Sequence, residues 1–150
     1  MTNVALRNEI LKARGWAHYC NWQYEDAISD YNQGLVLRSD DATTFLRRAL
    51  ALDIQGNSEA AVADYAKSQL IDPNNTNALL GKSEIDEKQG RFAEAVQGYE
   101  RVLDVKPDSR KSGYAIAYML NQENGKIGLR LFWIRRQRAG QNRFGSMNYL

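Results

Sequence analysis

One cysteine, one histidine and two prolines are all that 150 residues contain of those types. With Cys20 alone there is no internal disulfide, which fits a reducing compartment; the cytoplasm or another reducing interior is the expected location. A single histidine excludes a His-rich metal site and an HExxH zinc helix, so no metal is expected. Neither GxxxxGKS/T nor GxGxxG occurs, which leaves a phosphate or dinucleotide without a cradle; no cofactor is expected. Cys20 and His18 are two apart, and such neighbours on a helix do not face each other. They make no nucleophile pair, and the thiol is expected to act as a small hydrophobe. No catalytic residue emerges, and the chain is not expected to be an enzyme. There is no run of about 18 apolar residues for a membrane-spanning helix. The opening "MTNVALRNEILKARGW" is polar and charged where a signal peptide needs an apolar run. No alternating apolar pattern suggests a sheet.

What the chain has is a period. Ala27, Ala61 and Ala95 are 34 residues apart, as are Tyr31, Tyr65 and Tyr99. Small residues recur at Gly15, Ala49 and Ser83. Trp22, Gly56 and Gly90 form another such set, and Ser39, Pro73 and Pro107 another. Within "YEDAISDYNQGLVL", Tyr24, Ala27, Ile28, Tyr31 and Leu35 form the apolar stripe of an amphipathic helix. "DPNN" and "KPDS" place proline just past a helix end, where it cannot continue the hydrogen-bond ladder. Asp40 and Asp41 lie at a unit boundary and read as a turn or helix cap.

These stretches resemble the second helix and closing turn of the tetratricopeptide repeat, a helix–turn–helix unit of 34 residues. The resemblance implies an all-α, right-handed superhelical stack. Its three full repeats are 8–41, 42–75 and 76–109, followed by a divergent capping helix pair over 110–139 and a tail over 140–150. Five residues depart from the family pattern, two of them His18 and Asp86, which stand where an aromatic or aliphatic side chain is usual. Trp22 replaces a turn glycine, Ser39 replaces a proline, and Gln69 stands where the neighbouring units have Leu35 and Leu103. Leu70 and Ile71 are expected to supply the apolar character that Gln69 lacks. In the fourth unit, Tyr114, Ala117, Tyr118 and Leu120 are expected to pack on the third.

Such arrays bind other proteins in a concave groove lined by the first helix of each unit. Position by position, the resemblance puts Lys12, Trp16, Tyr19, Leu46, Arg47, Leu50, Asp53, Leu80 and Glu84 there, with Tyr114 and Tyr118 extending the groove. An exposed aromatic–aliphatic patch with a polar rim marks a protein-binding site. The expected partner is therefore a protein or peptide. Family members that grip a peptide's terminal carboxylates use lysine, asparagine and arginine at places that here read Lys12, Trp16, Arg47, Asn77 and Gly81. Only Lys12 survives, so a two-carboxylate chaperone tail is not the expected ligand. Three-repeat type III secretion chaperones share the layout and stand as a minor alternative.

Charge divides the chain. Residues 1–125 carry 14 basic and 18 acidic side chains, whereas 126–150 carry six basic and none acidic. The basic aromatic stretch around Arg130, Trp133, Arg135, Arg136 and Arg138 is first read as a cap. It is also a second candidate surface, for an anionic membrane or nucleic acid. Self-association of end helices into a homodimer is a further possibility.

Overall fold

Helices α1 (Asn3–Cys20) and α2 (Tyr24–Leu37) pair through a short turn. Two further pairs repeat that arrangement, α3 (Ala42–Ile54) with α4 (Ser58–Ile71), then α5 (Thr76–Lys88) with α6 (Phe92–Val105). A further helix, α7, is described over 110–121. The computed structural model describes residues 3–121, together with 134 and 137. Besides contacts within each pair, α2 packs on α3 and α4 on α5, so the pairs stack in chain order.

Each turn inside a pair closes the same way. The backbone N–H groups of Gln23, Asn57 and Arg91 donate to the carbonyls of His18, Leu52 and Asp86 at 2.8–2.9 Å. This six-to-one bond with a left-handed residue before it is a Schellman closure. Gly56 (φ 80°) and Gly90 (φ 74°) supply the left-handed residue at no steric cost. Trp22 adopts the same conformation (φ 64°), so the turn survives the missing glycine with a strained residue in place. At the starts of α3, α4 and α5, Asp41, Asn57 and Asn75 accept the N–H of Thr44, Ala60 and Ala78, which satisfies one otherwise orphaned donor each.

The period is a packing device. Ala27, Ala61 and Ala95 are fully buried, and Tyr31, Tyr65 and Tyr99 are all but fully buried. Ala49, Ala61, Tyr65, Ala78 and Ile85 form one cluster across units two and three. Ala95, Tyr99, Leu103, Ile116 and Met119 form the next. A Cβ on Gly15 would stand 2.7 Å from Cε1 of Tyr31, too close for any carbon, so this helix pair needs the hydrogen.

Three expectations are corrected. Leu70 does not supply the apolar character that Gln69 lacks, for it is 85% exposed. Gln69 instead donates to the carbonyl of Ala78 at 3.2 Å, joining α4 to α5 through a hydrogen bond. Tyr114 and Tyr118 do not pack on the third unit; both are exposed, and the buried face of α7 carries Ile116 and Met119. The two sets lie on nearly opposite faces of the helix, a phase that sequence alone did not resolve. Cys20 is exposed and so is not a core hydrophobe.

Candidate functional site: the concave groove

The first helices α1, α3 and α5 carry the groove residues. Trp16 stacks on Tyr19 with centroids 5.1 Å apart and planes 9° apart. The Arg47 guanidinium carbon from α3 lies 5.0 Å from the Trp16 ring centre, on its face. A cation on an indole face contributes about 0.5–1 kcal/mol at an exposed site. Arg47 makes no ion pair among the described residues. The cluster continues outward, with Tyr24 edge-on to Tyr19 at 5.5 Å and Trp22 edge-on to Tyr24 at 6.4 Å. Trp16 is 40% exposed and Trp22 80%. Trp22 and Tyr24 were missed as part of this surface because one was read only as a turn and the other only as an apolar stripe.

The rest of the groove is less open. Leu46 and Leu50 are half-buried against the cluster of units two and three, and Leu80 against the next. Glu84 meets Lys111 at 2.5 Å and Asp53 lies 3.9 Å from Lys88. Tyr114 and Tyr118 stand out into solvent. Lys12 is occupied: its ammonium sits 2.8 Å from Asp41 and 3.2 Å from Glu9. Burial disfavours the charge on both Lys12 and Asp41, but their mutual bond outweighs it. The Lys12 pKa therefore rises and that of Asp41 falls. Arg130, Trp133, Arg135, Arg136 and Arg138 lie outside the described residues.

Beneath the groove the tyrosine hydroxyls tell the units apart. Tyr99 donates to Glu87 at 2.8 Å. The matching acids are Asp53 in unit two and none in unit one, where Tyr19 stands. The hydroxyls of Tyr65 and Tyr31 have no partner among the described residues. Burial pushes the Tyr31 phenol up to about 12, and raises Tyr65 and Tyr99 further.

A second 34-residue series went unread in the sequence. Arg14, Arg48 and Lys82 recur on the first helices, and Asp30 and Asp64 on the second. Arg48 grips Asp64 through two bonds of 2.6 and 2.8 Å, and Arg14 grips Asp30 in the same way. In the third unit Gly98 stands where the aspartate would be. Asp86, buried on α5, takes over and binds both Lys82 and Arg91. The search for apolar periodicity passed over charged residues, although the same spacing was there to find.

A tetratricopeptide-repeat family model matches residues 42–75, the span of α3 and α4. The chain carries a tetratricopeptide repeat over these residues, and its described helices have the tetratricopeptide-repeat fold. Among its relatives, the small glutamine-rich tetratricopeptide repeat-containing protein 2 of Mycosarcoma maydis is 29% identical over 71% of this chain and 31% of its own length. The human protein SGT1 homolog is 28% identical over 65% of this chain and 27% of its own. The chain thus spans less than a third of these relatives, and their wider activities belong to the whole proteins. Among solved structures, the Arabidopsis OM64 repeat domain superposes with a TM-score of 0.76 at 25% identity, covering 80% of this chain and 99% of that one. The tetratricopeptide repeat is a protein-interaction fold. No helix among the described residues is long and apolar enough to cross a membrane.

Proposed function

We propose that this tetratricopeptide-repeat chain is a non-catalytic adaptor that holds an extended or helical segment of a partner protein in its concave groove. The observation that carries this reading is the half-exposed Trp16–Tyr19 stack with Arg47 on it, an arginine that makes no ion pair among the described residues. Large aromatic groups beside an arginine are the side chains most often found at the energetic centre of protein interfaces. Trp16, Tyr19 and Leu50 would anchor apolar side chains, and Arg47 would take a carboxylate or a backbone carbonyl of the ligand. Leu46, Asp53, Leu80, Glu84, Tyr114 and Tyr118 would line the remaining length.

A similar fold has been solved holding a peptide in the same family of domains: the first repeat domain of Spaghetti (RPAP3), bound to the HSP90 peptide SRMEEVD. That ligand ends in acids. The present groove argues for a different one, because its one retained clamp residue, Lys12, is already paired with Asp41 and Glu9. Releasing it would strand Asp41, which is buried.

The test is partner capture with the full chain and with Trp16→Ala/Leu50→Ala, followed by mass spectrometry. Proteins retained by the first and lost with the second support the groove. Identical capture by both contradicts it. A groove with apolar anchors should also hold its partner nearly unchanged as salt rises, whereas binding driven by counterion release falls steeply.

A further inference from the structure

The third unit keeps the cations of the second but not the groups they hold. In unit two the Phe45 ring is buried. The guanidinium carbon of Arg48 lies 5.6 Å from its centre, and the Lys67 ammonium 5.3 Å. The Asp64 carboxylate completes the group through its two bonds to Arg48. Thirty-four residues on, the places of Phe45, Arg48, Asp64 and Lys67 read Leu79, Lys82, Gly98 and Arg101. Both positive charges remain, while the ring and the carboxylate are gone. Unit one also has a leucine at the ring position, Leu11, but it retains Asp30. Of the three units, the third alone lacks both groups.

Their loss leaves a pocket. About 150 Å³ opens between α4, α5 and α6, with Leu79 and Ser83 buried at its base and Glu94, Gln97 and Arg101 exposed at its rim. Position 98 cannot refill it. A Cβ there would stand 2.0 Å from Oγ of Ser83, which itself donates to the Leu79 carbonyl. Asp86 replaces the lost charge at Lys82 but not the lost volume, for it takes no part in the lining. Asp86 also holds Arg91, and a single acceptor on the Lys82 ammonium leaves it further N–H donors. Arg101 makes no ion pair among the described residues.

We propose that this pocket binds a small aromatic carboxylate. Its ring lies over Leu79 and under Arg101, as the Phe45 ring lies under Lys67 in unit two. Its carboxylate meets Lys82, as that of Asp64 meets Arg48. The volume is below the roughly 300–1,000 Å³ of sites for drug-sized ligands, so the occupant has one ring. Lys82 and Arg101 outnumber the one acid of the lining, Glu94, which favours a single negative charge. The pocket shares no residue with the groove and does not rest on the function proposed above.

Sodium benzoate is the probe, titrated into the isotope-labelled full chain and followed by amide NMR shifts. Saturable shifts are expected at Ser83, Gln97 and Gly98, with affinity at least fivefold weaker in Arg101→Glu. Because Arg101 is exposed, that variant should melt like the parent. Leu79→Phe puts back the ring that unit two has and should abolish the shifts; if it melts lower than the parent, Arg101→Glu decides alone. Benzamide, the neutral counterpart, and inorganic phosphate, an anion without a ring, should each bind at least tenfold more weakly than benzoate. Trp16→Ala/Leu50→Ala should leave benzoate binding unchanged. Shifts that do not saturate, or that ignore Arg101→Glu, overturn the proposal. Equal binding of benzamide or of phosphate overturns it too, since the pocket then selects only a ring or only a charge.

Discussion

At the scale of single residues, close approach and hydrogen-bond reach decide the outcome. A methyl group at position 15 has nowhere to go, because the ring it meets belongs to a buried tyrosine. Gly15→Ala should therefore cost about 1–3 kcal/mol through overpacking, read as a lower midpoint in thermal or urea unfolding. Ala61→Leu should act in the same direction for the same reason, as Ala61 is fully buried. Position 53 offers the opposite sign. Glu87 reaches the Tyr99 hydroxyl, while the shorter Asp53 leaves that of Tyr65 without a partner among the described residues. Asp53→Glu should complete the bond and stabilise by about 1 kcal/mol; an unchanged urea midpoint would show that the reach is still short.

Between elements, the buried ion pairs rank themselves by exposure. Asp64 and Arg48 are both largely covered, and removal of one partner from a buried pair costs about 3–5 kcal/mol. Arg14 is more than half in water, so its loss of Asp30 is partly compensated. Asp64→Ala should thus lower the unfolding midpoint well beyond Asp30→Ala, and equal effects would contradict this ranking. The helix pairs and their turns were legible in the 34-residue beat, because glycine, proline and small residues act locally. What was not legible depends on phase and distance. The buried face of α7, with Ile116 and Met119, lies nearly opposite Tyr114 and Tyr118. Likewise, Asp86 replaces the carboxylate missing at Gly98 from a different helix, which no in-register comparison would reveal. In the groove, Trp16, Tyr19 and Arg47 were named from the family resemblance alone. Their mutual stacking, and the capture of Lys12 by Asp41, needed coordinates.

For the whole molecule, the three repeated tyrosines set an alkaline limit. Their phenols bind the proton more tightly when folded than the ordinary value near 10 allows. The stability they confer is complete below pH 10 and is lost as pH rises through the folded values, the first of them about 12. A spectrophotometric titration should show Tyr31, Tyr65 and Tyr99 ionising late, together with loss of helical circular dichroism; early ionisation of all eight tyrosines would contradict their burial. The proposed function belongs to this scale too, because the proposed groove draws on more than one unit. Trp16 comes from the first unit, and Arg47 and Leu50 come from the second. The measurement that bears most directly on the groove is selection of a random peptide library on the full chain, repeated on Trp16→Ala. Selected peptides should carry aromatic or aliphatic anchors without a terminal acidic pair, and Trp16→Ala should lose them. Enrichment of sequences ending in acids, or binding that ignores Trp16→Ala, would contradict the groove described here.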